Sequence, residues 1–222
     1  MRGPFSPPHL IGFILLLVIL LLLIQFGLIT LAFDKLGLSV SQGMLLLFAS
    51  LFGSILNLPI ASIKAEPPEE APDIFRQKNL LRVPMLPFTG RTMIAVNVGG
   101  CMAPVVFSAS LIHRFPFTTG ELLLAIALVG SVCYFLSRPV PGLGIGMPPL
   151  VAPIAAAIVA ISVNHELAAP LAYICGTLGV LTGADLLRMP DVARLGTPVA
   201  SIGGAGTFDG IFFTGIIAVL LT

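Results

Sequence analysis

Charged side chains are scarce in this sequence. The 11 Lys and Arg and the 10 Asp and Glu together make up 9% of the 222 residues, whereas a soluble domain carries roughly 25%. Because 57% of the residues are hydrophobic, a soluble core is excluded and lipid must be the solvent for much of the chain. The net charge of +1 argues against a nucleic-acid binder whose affinity comes from phosphate neutralisation.

Cysteine and histidine are also few. The three cysteines, Cys101, Cys133 and Cys175, lie within apolar runs and show no Cys-x-x-Cys spacing. This pattern predicts small buried side chains and excludes a disulfide framework. The three histidines are scattered outside those runs. We therefore predict no metal site and no cofactor.

Long apolar runs are what the sequence has in abundance. Because a membrane-spanning helix needs about 20 mostly apolar residues, we predict an all-α fold, a single transmembrane domain over residues 1–222 with seven spans. The predicted spans are 11–33, 43–63, 92–112, 120–137, 148–163, 167–187 and 203–222. Residues 64–91 form the one substantial loop. The Gly- and Pro-rich stretch from Arg138 to Pro149 is too irregular for a helix.

The distribution of cations predicts the orientation. With seven spans and a cytoplasmic N-terminus, nine cations face the cytoplasm and only Lys35 and Arg114 face the other side. The nine are Arg2, Lys64, Arg76, Lys78, Arg82, Arg91, Arg138, Arg188 and Arg194. Cytoplasmic loops carry such an excess of Lys and Arg.

Apart from Glu121 in the first turn of span four, two acids lie within the predicted spans, Asp185 in span six and Asp209 in span seven. A charge at the centre of a spanning helix costs roughly 2.5–3.5 kcal/mol, so an acid kept there is a candidate functional group. Because the two spans run in opposite directions, both acids are expected at a similar depth near the cytoplasmic face. Two structural alternatives exist: Asp185 pairs with Arg188 one turn later, and Asp209 caps a helix beginning at Thr207.

Further polar and glycine residues converge on that depth. They predict a polar cavity open to the cytoplasm, because non-helical backbone at membrane depth is tolerated where it lines a cavity or is covered by protein. The predicted lining residues are Asn57, Asn97, Gly99, Gly100, Gly142, Gly144, Gly146, Gly204 and Gly206. The alternative is structural. The asparagines would then form hydrogen bonds between helices, and the glycines would allow close helix packing; two pairs of glycines have GxxxG spacing.

Three segments resemble the DUF1614 family of prokaryotic membrane proteins, whose function is unassigned. They are Asn97-Val-Gly-Gly with Pro104, then Ala169-Pro-Leu-Ala-Tyr-Ile-Cys-Gly-Thr-Leu-Gly through Gly183-Ala-Asp-Leu-Leu, and Pro198-Val-Ala-Ser-Ile-Gly-Gly-Ala-Gly-Thr-Phe-Asp-Gly-Ile-Phe. The resemblance implies a multi-pass protein of a bacterial or archaeal plasma membrane and no particular activity.

A weaker resemblance concerns the two acids. Two membrane aspartates on consecutive helices, the second after a glycine-rich run, are similar to the arrangement in presenilin and signal-peptide-peptidase-type intramembrane aspartyl proteases. Gly206-Thr-Phe-Asp-Gly echoes the Gly-x-Gly-Asp segment of those enzymes. The resemblance implies that Asp185 and Asp209 form a catalytic dyad.

Three functional hypotheses follow. In the first, Asp185 and Asp209 share a proton and hydrolyse a transmembrane helical substrate. In the second, the same acids bind a small ion or relay protons in a transporter or channel. In the third, they specify the fold of a structural or partner-binding membrane protein. Besides lipid, the expected partners are thus a helical substrate or an ion, with no nucleic acid; the oligomeric state has no sequence signal.

Overall fold

The computed structural model describes residues 12, 14–19, 22, 27–66, 90–140, 144–204 and 210–222. The fold is mostly helical. The α-helices are α1 (Leu28–Lys35), α2 (Val40–Gly53), α3 (Ala103–Arg114), α4 (Thr119–Leu136), α5 (Val151–Val163), α6 (Ala168–Val180), α7 (Met189–Val192) and α8 (Gly210–Leu221). Two π-helices, π1 (Val98–Met102) and π2 (Leu181–Leu186), adjoin α3 and α6. The strands are β1 (Asn57–Lys64), β2 (Arg91–Asn97), β3 (Arg138–Val140), β4 (Gly144–Gly146) and β5 (Val199–Ile202).

The helix α6, continued by π2, lies at the centre of the bundle. It packs against α4, α5 and α8, with α3 on a further side. Small residues allow close approach: a Cβ on Gly183 would overlap the carbonyl oxygen of Gly130 in α4, and a Cβ on Gly176 would press on Ala156 and Thr214. The core is therefore built largely of small side chains between closely spaced helices.

The bundle has two distinct ends. At one end Lys35 donates to the carbonyl of Val219, and Gly37 lies against Arg114. The other end carries the strands and is called the sheet end. The sheet end holds most of the described cations, namely Lys64, Arg91, Arg138, Arg188 and Arg194.

A three-stranded sheet of order β1-β2-β5 covers the sheet end. Strand β1 pairs with β2 in antiparallel fashion, so that Asn57 lies opposite Asn97, and β5 joins the other side of β2 in parallel. Pro59 lacks an N–H group and is tolerated because β1 is an edge strand, where a bulge follows it. The parallel strands β2 and β5 end side by side, next to the start of β1.

The strands correct the prediction of an all-α fold. Predicted span 43–63 is helical only to Gly53, and predicted span 92–112 begins as a strand that becomes helical at Val98. The apolar run alone does not distinguish a buried helix from a strand, and the β-branched residues of β1 and β2 favour the extended form. The predicted irregular segment after α4 forms the hairpin β3–β4, with residues 141–143 outside the described part.

The remaining predicted spans differ in length from the helices found. Spans 120–137 and 167–187 agree with α4 and with α6–π2 to within one residue at each end, whereas span 148–163 begins only at Val151. Span 203–222 begins too early, because Gly203 and Gly204 follow β5 in a non-helical conformation. Part of span 11–33 and most of loop 64–91 lie outside the described residues.

Two described helices, Thr119–Leu136 and Ala168–Leu186, are long and apolar enough to cross a membrane. A third candidate is the pair α1 and α2, which is bent by 106° at the turn containing Gly37. These helices indicate a membrane protein. The helices α5 and α8 are apolar but shorter.

Strand pairing between β1 and β2 can be tested by disulfide formation in a background in which Cys101, Cys133 and Cys175 are alanine. We expect the pairs Ser62→Cys/Met93→Cys and Ile63→Cys/Thr92→Cys each to cross-link on mild oxidation, because both pairs lie directly opposite in the register and opposite Cα atoms are about 4.5–5.5 Å apart. Non-reducing electrophoresis after proteolysis between the strands measures the link.

The matched control is Ser62→Cys/Val96→Cys, because Val96 lies three residues, or about 10 Å, along β2 from Met93, the partner of Ser62. Two helices would place only one of the two consecutive pairs face to face, since neighbouring residues on a helix point about 100° apart. Cross-linking of one consecutive pair without the other would contradict the sheet.

Candidate functional site

The side chain of Asn97 joins three elements at the sheet end. Its amide nitrogen donates to the carbonyl of Ser54 at 2.7 Å and to the side-chain oxygen of Asn57 at 3.1 Å. Its own oxygen accepts the N–H of Gly100 at 2.7 Å. Asn97 is fully buried, so these bonds replace its lost hydration. The residue thereby fixes the end of α2, the start of β1 and the start of π1 relative to one another.

Asn57 extends this network to the third strand. Its side-chain oxygen accepts both from the amide of Asn97, at 3.1 Å, and from the hydroxyl of Ser201 in β5, at 2.5 Å. Asn57 and Ser201 are half-buried. One oxygen at the margin of the sheet therefore links all three strands.

Glycines bring two backbone segments into direct contact beside this network. A Cβ on Gly100 in π1 would overlap the carbonyl oxygen of Gly203, and a Cβ on Gly99 would overlap the carbonyl oxygen of Ser50. Gly203 has a φ of 81°, and a Cβ there would lie 2.6 Å from the Cβ of Cys101. Glycine is thus required on both sides of this contact.

Asp185 lies on π2, directly beside the end of β5. Its carboxylate accepts the backbone N–H of Gly203 at 3.4 Å, and the side chain is half-buried. The π geometry is evident in the bond from the N–H of Leu187 to the carbonyl of Thr182, which spans five residues. Single π turns within α-helices frequently mark functional sites. The acid lies near the end of a candidate membrane-spanning helix and next to extended backbone.

Arg188 contacts Asp191 and the end of α4. Its guanidinium forms an ion pair with Asp191 at 3.1 Å and donates to the carbonyls of Tyr134 and Ser137 at the end of α4. It also stacks over the ring of Tyr134. Arg188 therefore caps a neighbouring helix, a role that accounts for a cation at this position.

Two cavities in the described part of the chain are apolar and lie apart from Asp185. One of about 130 Å³ is lined by residues of α1, α2 and α8, including Phe33 and Phe212. The other, of about 610 Å³, is an open groove between α4 and the start of α5, lined by Val132, Pro149 and Ile154 among others. The predicted polar cavity near the acids stays a prediction.

The structure brings together most of the predicted site residues that it describes. The group around Asn97 and Asp185 contains Asn57, Asn97, Gly99, Gly100, Gly204 and Asp185. Gly144 and Gly146 belong to the hairpin β3–β4 at the same end of the bundle. Gly142, Gly206 and Asp209 lie outside the described residues.

Sequence reasoning missed Ser54, Ser201 and Gly203. Ser54 contributes a carbonyl oxygen, which any residue supplies, so no side-chain signal marks it. Ser201 and Gly203 enter the group because β5 pairs with β2 across more than 100 residues of sequence, a pairing that local patterns do not encode. The sequence signal for this position is the pair Gly203-Gly204, which indicates an abrupt turn. In the structure the two glycines have φ of 81° and 93°.

A family model matches most of this chain. The match covers residues 51–221 and has the description "Protein of unknown function (DUF1614)". The chain belongs to the DUF1614 family. No curated protein and no solved structure matches it. The family match includes every residue of the group around Asn97 and Asp185.

The chemistry available to this DUF1614 protein in the group around Asn97 and Asp185 is that of neutral amides, hydroxyls and a carboxyl group. In the described residues, no group of three or more His, Cys, Asp and Glu side chains could hold a metal ion. A carboxyl group in this setting can transfer protons or bind a cation, and side-chain amides can donate hydrogen bonds to a carbonyl oxygen.

The substitution Gly100→Ala tests the backbone contact between π1 and Gly203. We expect it to destabilise the fold by about 1–3 kcal/mol, because the added methyl group overlaps a backbone oxygen. Thermal unfolding in detergent can be followed with a thiol-reactive fluorophore, since Cys101, Cys133 and Cys175 are all buried in the folded protein.

Gly120→Ala is the matched control, because a Cβ at Gly120 meets no atom within 4 Å. Its Tm should be unchanged or slightly higher, as expected for replacing glycine in an exposed helical turn. Equal Tm values for the two variants would contradict the close contact at Gly100.

Proposed function

We propose that this DUF1614 protein is a membrane-embedded aspartyl-type hydrolase that cleaves a peptide bond in an apolar segment. Asp185 and Asp209 are its two carboxyl groups in this proposal, although the position of Asp209 lies outside the described residues. The observation that carries the proposal is the hydrogen bond between the Asp185 carboxylate and the N–H of Gly203. It fixes an acid at the end of a strand within a membrane protein.

The sheet next to Asp185 favours a peptide as the substrate. Strand β5 pairs with β2 along one edge, and within the described residues its other edge pairs with no strand. An extended peptide binds such an edge through main-chain hydrogen bonds. A substrate strand added beside β5 would reach the end of the strand at Gly203, whose N–H binds Asp185. By contrast, the outer edge of β1 is interrupted by Pro59 and a bulge, which disfavour strand addition.

The proposed chemistry requires two carboxyl groups that share one proton. One carboxylate removes a proton from water, whose oxygen attacks the peptide carbonyl carbon, and the other carboxylic acid protonates the leaving nitrogen. The products are a carboxylic acid and an amine, with no cofactor. Hydrolysis in a membrane also needs water at the acid, and the half-buried Asp185 at the sheet end is suited to that.

A transport function receives less support from the described core. Between Asp185 and the opposite end of the bundle, α4, α5, α6 and α8 are packed around buried Ala, Val, Leu, Ile and Cys side chains. The buried polar side chains of α6 and α8 there are neutral hydroxyls, Tyr173, Thr177 and Thr214. An ion crossing this region would need charged or carbonyl ligands. The hydrolase requires access from one side only.

The proposal includes the topology on which the site depends. Seven crossings, a cytoplasmic N-terminus and a prokaryotic plasma membrane place the sheet end in or near the cytoplasmic leaflet, in agreement with its cations. The substrate is then a transmembrane helix that unwinds at that side before cleavage.

The decisive variants are Asp185→Asn and Asp209→Asn. The assay uses purified protein in liposomes with a quenched fluorogenic peptide, whose apolar segment of about 20 residues is interrupted by glycine. We expect each variant to lower kcat by at least about 10²–10⁴-fold, the range that acid–base catalysis supplies. Asparagine keeps the shape of the side chain but cannot exchange a proton.

Glu166→Gln is the control, since Glu166 is an exposed acid in the loop between α5 and α6. It should retain wild-type kcat. Wild-type cleavage by Asp185→Asn, or the absence of any cleavage by the wild-type protein over a panel of such peptides, would contradict the hydrolase.

A further inference from the structure

The amide nitrogen of Asn57 is a hydrogen-bond donor that the network leaves available. Both of the side chain's described bonds use its oxygen, one from Asn97 and one from Ser201. The oxygen of Asn97 accepts the N–H of Gly100, so its nitrogen is the donor, and the Asn57 atom that this nitrogen contacts is therefore the oxygen. Among the described residues, no partner is found for the amide nitrogen, which has two N–H groups to donate.

A short series of contacts connects the Asn57 amide to Asp185. Ser201, which holds Asn57, lies two residues before Gly203, which binds the Asp185 carboxylate. The chain Asn57–Ser201–Gly203–Asp185 thus connects the donor and the acid through one short strand. The side chains of Asn57, Ser201 and Asp185 are half-buried rather than enclosed, so a ligand can reach them. Hydrolysis of a carbonyl compound uses both groups, the amide as a donor to the carbonyl oxygen and the acid for proton transfer.

We propose that the Asn57 amide binds the carbonyl oxygen of the scissile peptide bond and stabilises the negative charge that develops on it. This inference rests on the proposed hydrolase and assigns it a third catalytic residue. The ligand class is a carbonyl that becomes tetrahedral, an amide or an ester. The same donor offers nothing to a metal cation, which needs oxygen ligands instead.

The step balances with the groups named. A water oxygen bonds to the carbonyl carbon while one water proton passes to a carboxylate of the proposed pair. The C=O double bond becomes a single bond to an oxygen that accepts from the Asn57 N–H groups. When the C–N bond breaks, the nitrogen takes a proton from the carboxylic acid and the carbonyl re-forms. Hydrogen bonds from Asn97 and Ser201 hold the Asn57 amide in place before the reaction, so little reorganisation is needed.

The substitution Asn57→Asp separates this role from a structural one. A carboxylate retains the oxygen that accepts from Asn97 and Ser201, but it has no N–H group to donate. With the fluorogenic peptide in liposomes, we expect kcat to fall by about 10²–10³-fold and KM to stay unchanged, because the lost interaction is made mainly in the transition state. A purely structural role would instead change Tm and KM.

Ser201→Ala provides a second variant should Asn57→Asp fold poorly. It removes one of the two donors that orient Asn57 and leaves the amide itself, so a smaller loss of kcat is expected, about tenfold, a difference of about 1.4 kcal/mol. Tm from the thiol-reactive fluorophore accompanies both assays. A folded Asn57→Asp with wild-type kcat overturns the inference, as does an unfolded Asn57→Asp together with a fully active Ser201→Ala.

Failure of this inference differs from failure of the hydrolase. Cleavage that depends on Asp185 but not on Asn57 overturns only the role of Asn57. Absence of Asp185-dependent cleavage overturns both. Loss of kcat in Asn57→Asp at wild-type Tm and KM supports both.

Discussion

The hydrogen bonds of Asn97 hold the sheet end of this protein together. A buried amide in an apolar surrounding must find partners, because an unsatisfied polar group costs about 1–3 kcal/mol. Asn97 finds them on the end of α2, on β1 and on π1. With these three elements fixed, Gly100 contacts Gly203, and the N–H of Gly203 meets the carboxylate of Asp185. The candidate site is therefore a consequence of one buried side chain and its neighbours.

The two sheets give this membrane protein backbone groups of a kind that a helical bundle does not offer. A helix satisfies its own N–H and C=O groups, whereas a strand at the edge of a sheet presents them to a neighbour. Extended backbone beside an acid suits the proposed peptide substrate, which would bind by main-chain hydrogen bonds. The extended backbone next to Asp185, more than the acid itself, distinguishes the proposed hydrolase from a transporter or a purely structural protein.

The long helices could be predicted from the sequence, and the sheet could not. The runs that form α4 and α6–π2 are long, apolar and free of internal breaks, so their ends were predicted within one residue. The seven-residue strand β2 is continuous with the helix that follows it, and hydropathy does not mark the change. The pairing of Asn57 with Asn97, and of β5 with β2, depends on tertiary contacts between distant segments. Asp185 and both asparagines were recognised because polar groups are costly at membrane depth, but their connection through Ser201 required the structure.

The most direct test of the account is the proximity of Asp185 to Asp209. In a background with Cys101, Cys133 and Cys175 replaced by alanine, the variant Asp185→Cys/Asp209→Cys is oxidised in liposomes. A carboxyl pair that shares a proton requires side chains in contact, and a disulfide requires Cα atoms within about 7 Å. The account predicts an intramolecular disulfide at these positions. Absence of that disulfide, under conditions in which Ser62→Cys/Met93→Cys cross-links fully, would contradict a dyad at the sheet end.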